Sequence, residues 1–148
     1  MNTHPDFEEL LRLLEENAVE YMIVGGYAVA FHGYARFTKD VDVFFRSEDD
    51  NIARLRKALV DFGFAEKDLP VDAFATTGNI VTFGVFPTRV DLLNRIDGVE
   101  FDEAYGRAVR GAYAGVEVNF IGREDLIRNK QQTPRARDKG DVEELMEP

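Results

Sequence analysis

The sequence predicts an α/β (α+β) domain in which helices flank a mixed β-sheet. Short apolar runs alternate along the chain with amphipathic segments whose apolar residues recur at helical spacing. Some neighbouring runs are joined so closely that they have to form antiparallel hairpins, which excludes a purely parallel sheet. A chain of 148 residues is most economically one domain over 1–148.

Elements of the first half alternate between helix and strand. Spacing of apolar residues and a capping pair at Asp6 and Glu9 predict the first helix, and glycines at 33 and 63 end the second and third helices. We therefore expect a helix over 6–17, a strand over Tyr21–Val24, a helix over roughly Tyr27–His32, a strand over Asp40–Phe45, and a helix capped by Ser47 and Asp50 that turns Ile52, Leu55, Leu59 and Phe62 inward.

The second half begins with a predicted long loop over 65–78, which contains Pro70 and Gly78. Two hairpins and further helices follow it. The strands are Ile80–Phe86 with Arg89–Leu93, joined through Pro87-Thr88, and Val109–Tyr113 with Val116–Ile121, joined through Ala114-Gly115. The helices are Phe101–Arg107, Glu124–Lys130 and, beyond Pro134, Ala136–Met146.

Composition narrows the functional classes. There is no cysteine, which excludes disulfides, thiolate nucleophiles and cysteine-based zinc sites. No apolar run approaches the roughly 20 residues of a membrane helix, and the start of the chain lacks a signal-peptide pattern, so we expect a soluble cytoplasmic protein without a membrane partner. The net charge of -10 disfavours binding of long nucleic acid.

A basic strip stands out in this acidic chain. It lies between positions 123 and 139 and contains Arg123, Arg128, Lys130, Arg135, Arg137 and Lys139. One interpretation is a solvated helix and loop with surface ion pairs, which is what most charge runs are. The other is a set of phosphate ligands.

Three aspartates form a candidate metal site. Asp40 and Asp42 are residues i and i+2 of a predicted strand, so their carboxylates point to the same face and repel each other unless a cation lies between them. Asp91 is a single acidic residue in another apolar strand, and it reaches the same side if the two strands are neighbours. Carboxylate oxygens are the ligands that Mg²⁺ prefers, and two such ions support in-line phosphoryl displacement.

Gly25-Gly26 is a candidate anion site. A strand that runs through glycines directly into a helix presents backbone N–H groups at the positive end of the helix dipole. Tight packing is the alternative explanation of such a pair. The histidines, His4 and His32, have no metal-ligand partner at a useful spacing.

The combination resembles a known superfamily. An apolar residue followed by Gly-Gly, a helix, Asp-x-Asp entering a strand and a third carboxylate on a later strand is the pattern of the DNA polymerase β-like nucleotidyltransferases. The motif R-x-T-x-D-x-D at Arg36, Thr38, Asp40 and Asp42, with LIRNK and PRARDKGDVEEL near the end, is similar to bacterial AbiEii-type and related minimal nucleotidyltransferases. The resemblance spans about residues 21–145.

The resemblance implies a role for each matched residue. Asp40 and Asp42 would hold both metal ions, and Asp91 would complete one site and help to deprotonate the acceptor hydroxyl. Gly25 and Gly26 would face the nucleoside triphosphate. Further candidates near the phosphates or the substrate are Arg36, Thr38 and Lys130. Arg137 and Lys139 could contribute too, but their segment also reads as a charged helix with i,i+3 and i,i+4 ion pairs.

The implied activity is Mg²⁺-dependent transfer of a nucleoside monophosphate from an NTP to an acceptor hydroxyl on an RNA end, a protein or a small molecule. The AbiEii-type resemblance also implies a role in a toxin–antitoxin system. Many relatives add a helical domain that binds the acceptor. Here we expect the long loop, the last helices, a second copy in a homodimer or a partner protein to supply that surface.

Other classes fit less well. A haloacid dehalogenase-like phosphatase would share D-x-D, but its aspartates follow the apolar run, whereas here they precede it. A dinucleotide-binding domain requires G-x-G-x-x-G, which GGYAVAFHG lacks. An inactive nucleotidyltransferase fold that serves as a binding or regulatory module stays open, although such a copy would be expected to lose at least one clustered carboxylate.

Overall fold

The computed structural model describes residues 5–33, 40–84, 89–113, 115–132, 142 and 145. Its helices are α1 (Pro5–Glu16), α2 (Gly25–Phe31), α3 (Asp49–Phe62), α4 (Val71–Ala75), α5 (Phe101–Tyr105) and α6 (Arg123–Gln131), with a 3-10 turn at Glu66–Asp68. Its strands are β1 (Tyr21–Val24), β2 (Asp40–Phe45), β3 (Ile80–Phe83), β4 (Arg89–Leu93), β5 (Val109–Tyr113) and β6 (Val116–Phe120).

The strands form one mixed sheet in the order β3-β4-β2-β1-β6-β5. Pairing is parallel between β2 and β4 and between β1 and β6, and it is antiparallel in the other pairs. The predicted α/β class with a mixed sheet is confirmed, and so are both predicted hairpins. The sheet order makes β2 and β4 direct neighbours, which is the condition that the metal-site prediction requires.

Helices cover both faces of the sheet. The face with Tyr21 and Phe45 packs against α1 and α4. The Tyr21 hydroxyl donates to Glu15 of α1, and the Phe45 ring packs against Phe74 of α4. On the opposite face the Phe44 ring packs against Phe101 of α5. Alternation along β2 thus places Asp40, Asp42 and Phe44 on one face and Val41, Val43 and Phe45 on the other.

Some predicted bounds differ from the structure. Helix α2 begins at Gly25 rather than at Tyr27, so the glycine pair forms its first turn. Helix α3 begins at Asp49 after Glu48, without a side-chain cap, so the predicted capping by Ser47 and Asp50 is wrong. The predicted loop over 65–78 contains the 3-10 turn and α4, because Leu69 and Phe74 are buried and anchor it to the core.

Other predictions lie partly outside the described residues. Of the predicted helix over Ala136–Met146, only Val142 and Leu145 are described, and both are helical. The first hairpin turn at Pro87-Thr88 is outside as well. Within the described part of the chain, no helix is long and apolar enough to span a membrane.

A fully buried asparagine joins three elements at the end of the sheet. The Asn51 side chain accepts a hydrogen bond from the backbone N–H of Glu20 at 2.7 Å and donates to the carbonyls of Glu20 and Arg46 at 3.0 and 2.9 Å. Its amide therefore links the start of α3 to the segments that lead into β1 and out of β2. A buried polar group satisfied in this way is costly to remove, because its partners lose their hydrogen bonds without regaining water.

Asn51→Ala is expected to lower the free energy of unfolding by ~2–4 kcal/mol, because it leaves buried backbone groups without partners. Urea denaturation followed by circular dichroism measures the change. Asn51→Asp is a second test variant. It keeps an acceptor for the N–H of Glu20 but loses both donors, so it should also be destabilising. A change below ~0.5 kcal/mol in both variants would contradict the linking role.

Candidate active site

The parallel pairing of β2 and β4 brings the predicted carboxylates together. Asp42 lies directly opposite Asp91, and Asp40 lies opposite Arg89. One carboxylate oxygen from each of Asp40, Asp42 and Asp91 lies within 4.8 Å of the other two. Asp91 is buried, and the other two are partly buried. The three carboxylates thus form one cluster on one face of the sheet.

Gly25 closes one side of the cluster. It follows β1, which is the antiparallel neighbour of β2, and Val24 lies opposite Asp42. Gly25 has a φ of +68°, a region that favours glycine, and a Cβ added there would lie 2.2 Å from Oδ2 of Asp42. Only glycine fits at this position. The backbone at the start of α2 therefore lies directly against the Asp42 carboxylate.

The electrostatics of the cluster raise the pKa of one carboxyl. Burial raises the pKa of Asp42 from its ordinary value of 3.8 to about 7, with further contributions from the charges of Asp91 and Asp40 and a hydrogen bond with Asp91. Lys130 opposes the shift. Near neutral pH, the group of acids therefore carries less than its full negative charge in the absence of a cation.

Two basic side chains lie at the cluster. Lys130 of α6 is 7 % exposed and close enough to Asp42 to favour its charged form. The Nε atom of Arg89 donates to Oδ1 of Asp91 at 3.2 Å, and about half of the Arg89 side chain is exposed. Both compensate part of the carboxylate charge. Arg89 lies at the solvent side, whereas Lys130 is buried.

The donor set fits a hard divalent cation. The oxygens that converge are all from carboxylates, which are the ligands of Mg²⁺ and Mn²⁺. Burial is the main cause of the raised pKa of Asp42, and repulsion by Asp91 and Asp40 adds to it. A divalent ion would relieve this repulsion, because it favours the charged form of every carboxylate that it binds.

The remaining predicted site residues differ in whether the structure describes them and in whether they lie at the carboxylate cluster. Gly26 lies in the first turn of α2, next to Gly25, while Arg36 and Thr38 fall outside the described residues. In the basic strip, Arg128 is paired with Asp125 at 3.2 Å. Arg135, Arg137 and Lys139 are outside the described part. Among the described members of the strip, only Lys130 is found at the cluster.

Two residues at the cluster were missed by the sequence reasoning. The hydroxyl of Thr82 in β3 donates to Oδ1 of Asp91 at 2.7 Å, and Arg89 donates to the same oxygen. A signal for Arg89 existed, because it lies two residues before Asp91 and so shares its face of the strand. Thr82 becomes recognisable only when the register between β3 and β4 is known.

The raised pKa of Asp42 predicts a pH-dependent stability of the metal-free protein. Between pH ~4 and ~7 the Asp42 carboxyl keeps its proton in the folded state but has lost it in the unfolded state. The contribution of protonated Asp42 to the free energy of unfolding is therefore complete below the unfolded pKa of 3.8 and is lost as the pH rises through about 7. Relative to Asp42→Asn, the wild type should lose ~2–4 kcal/mol between pH 4 and 8.

Chemical denaturation of both proteins across this pH range in EDTA measures the difference. Asp68→Asn, which removes an exposed charge from the 3-10 turn, is the control for a general charge effect. The interpretation is wrong if wild type and Asp42→Asn keep a constant difference at every pH.

Structure comparisons identify the fold. The crystal structure of ANT(2″)-Ia in complex with adenylyl-2″-tobramycin matches with a TM-score of 0.57 and 16% identity, over 94% of this chain and 84% of that one. The solution structure of the antibiotic-resistance factor ANT(2″)-Ia gives 0.60 and 16%, over 95% and 80%. The lincomycin-bound lincosamide antibiotic adenylyltransferase LnuA gives 0.55 and 16%, over 98% of both chains. At this identity the likeness establishes a shared fold.

Sequence comparison identifies the family. A search of curated protein sequences finds no match to the chain. A family model described as "Nucleotidyl transferase of unknown function (DUF2204)" matches residues 3–147, which is nearly the whole sequence. The DNA polymerase β-like resemblance is confirmed at the level of nucleotidyl transferases. The chain therefore belongs to the DUF2204 family of nucleotidyl transferases and is an enzyme of that class.

Proposed function

We propose that the protein transfers a nucleoside monophosphate from an NTP to an acceptor hydroxyl in a reaction that depends on Mg²⁺. The observation that carries this proposal is the convergence of Asp40, Asp42 and Asp91 beside the glycine at the start of α2. In this reaction the acceptor oxygen attacks the α-phosphorus, the bond from that phosphorus to the bridging oxygen breaks, and pyrophosphate leaves.

Each carboxylate has a distinct part in the proposal. Asp40 and Asp42 would hold both ions, and Asp91 would complete one of the two sites. When bound, the ions supply charge stabilisation to the attacking and leaving oxygens. Asp91 lies at the edge of the cluster opposite Gly25 and would help to remove the proton of the acceptor hydroxyl.

The triphosphate would lie along the turn at Gly25 and Gly26, where the backbone approaches Asp42 and no side chain intervenes. Lys130 would balance the added negative charge from its buried position next to Asp42. Arg36 and Thr38 remain predicted phosphate or substrate contacts.

A cavity provides space for the acceptor. Its volume is about 920 Å³, and it lies at the carboxyl ends of β2 and β4. Phe44, which follows Asp42 by two residues on the same face of β2, lines it, and so does Arg95, two residues beyond the end of β4. Thr77 lines it too, and it belongs to the 65–78 segment, one of the predicted suppliers of acceptor surface. Its size suits a small organic molecule.

The charges around the cavity favour a small acceptor that is neutral or positive over an RNA end. Glu48, Glu100 and Glu103 line it and make no ion pairs within the described residues, while Asp102 is paired with Arg46. The four acidic residues of the lining outnumber Arg46 and Arg95, so the cavity repels phosphodiesters, as does the net charge of -10. The names of the structural neighbours, an adenylylated tobramycin complex and a lincosamide adenylyltransferase, support a small-molecule acceptor as well.

An inactive binding module is the less favoured alternative, because the described carboxylate cluster is complete and a non-catalytic copy gains nothing from its mutual repulsion.

The AbiEii-type assignment and a toxin–antitoxin role remain predictions from the sequence resemblance. Expression of the chain alone in a bacterial host, with growth as the readout, tests that role.

Asp42→Asn is expected to abolish Mg²⁺-dependent NTP binding and transfer, because it removes a charged ligand from the centre of the cluster. Incubation of the protein with α-labelled NTPs and a cell extract measures transfer by the fraction that takes up label. Calorimetry with each NTP, with Mg²⁺ or with EDTA, measures binding. We expect a loss of at least ~100-fold in transfer.

Asp40→Asn should behave in the same way, whereas Asp68→Asn should match the wild type. If the wild type and both cluster variants bind NTP alike with and without Mg²⁺, the proposed metal cluster is wrong.

Thr77→Trp tests the acceptor cavity. The indole would fill part of the cavity from the exposed position of Thr77, so labelling of the acceptor should fall by at least ~10-fold while binding of Mg²⁺ and NTP is unchanged. Val60→Trp is the control, because Val60 is an exposed residue of α3 that does not line the cavity. Equal labelling by both variants would place the acceptor elsewhere.

A further inference from the structure

Two donors bind the same oxygen of the Asp91 carboxylate. Oδ1 accepts the hydroxyl of Thr82 at 2.7 Å and the Nε–H of Arg89 at 3.2 Å. Thr82 lies directly opposite Asp91 in the antiparallel pairing of β3 with β4. Both donors therefore bind the same oxygen, one from the neighbouring strand and one from the same strand.

Two donors on Oδ1 restrict the rotation of the Asp91 carboxylate. Oδ2 accepts from neither of these donors, and Asp42, which shares a hydrogen bond with Asp91, lies opposite in β2. Hydrogen bonds to the second oxygen of a metal-binding carboxylate commonly fix its orientation, and their loss costs about 10–100-fold in metal affinity or activity.

The two donors differ in what a bound cation would do to them. The guanidinium of Arg89 is positive and about half exposed, so a divalent ion at the carboxylates would repel it toward solvent. The Thr82 hydroxyl is neutral, so its bond to Asp91 is compatible with a cation on the other oxygen. Thr82 is thus the donor that persists when the cluster is loaded.

We infer that Thr82 is a positioning residue that orients Asp91 for binding of the divalent ion and for its role toward the acceptor hydroxyl. The inference rests on the proposed function. It assigns a role to edge strand β3, whose pairing with β4 would otherwise serve only the sheet. Thr82 is exposed, so its substitution should leave the fold intact.

Thr82→Val tests the inference, because valine keeps the shape and the β-branching and removes only the hydroxyl. The probe is Mn²⁺, whose binding to the purified protein is followed by electron paramagnetic resonance of the free ion. We expect the Kd for Mn²⁺ to rise about 10-fold in Thr82→Val and to stay within about twofold of the wild type in Thr82→Ser. Ile80→Val, an exposed position on the same strand, is the structural control.

Kinetics separate positioning from simple structural support. With labelled NTP at saturating Mg²⁺, Thr82→Val should lower kcat while KM for the NTP changes less than about twofold, because Asp91 acts on the acceptor side. A purely structural hydroxyl would instead lower the melting temperature equally with and without Mn²⁺ and leave the Kd unchanged, which overturns the inference.

The outcomes also separate this inference from the proposed function. If the wild type binds Mn²⁺ through Asp42 and Thr82→Val binds it equally well, Thr82 has no positioning role and the proposed function stands. If the wild type binds no Mn²⁺, both are overturned.

Discussion

The parallel pairing of β2 with β4 is the constraint on which the site depends. It sets Asp42 opposite Asp91 in adjacent strands, and the alternation along β2 adds Asp40 to the same face. A shift of the register by one residue would turn Asp91 toward the opposite face and replace it with an apolar neighbour. The register is fixed by the apolar residues next to the aspartates, since Val41, Val43 and Leu92 are fully buried on the other face.

The same arrangement places a cost on the fold. Three carboxylates within a few ångströms repel each other, and Gly25 packs so closely that no side chain is tolerated beside them. Arg89 and Lys130 offset part of the repulsion, and Asp42 is left with a raised pKa. Stability elsewhere, such as the buried hydrogen bonds of Asn51 and the apolar core, compensates for the repulsion within the cluster.

Much of this arrangement was predictable from the sequence. Apolar periodicity predicted the strands and longer helices, and the i, i+2 spacing of Asp40 and Asp42 predicted a shared face because a strand has a period of two. Asp91 stood out because an acidic residue in an apolar strand is unusual. The short helices at 66–75 were missed, since two buried residues, Leu69 and Phe74, anchor them without a periodic pattern. Thr82 was missed because its contact depends on the register across a hairpin, which neither composition nor local spacing encodes.

The Thr82 contact also bears on why β3 is part of the sheet at all. Without β3, strand β4 would be the sheet edge, and of the two donors to Oδ1 of Asp91 only Arg89 would remain. An exposed guanidinium would be a poor support for a metal ligand, because a divalent cation at the carboxylate would repel it. A neutral hydroxyl on an adjacent, hydrogen-bonded strand avoids that conflict. The uncharged edge strand β3 thus contributes a hydrogen bond to the carboxylate cluster, and on our inference this bond positions Asp91.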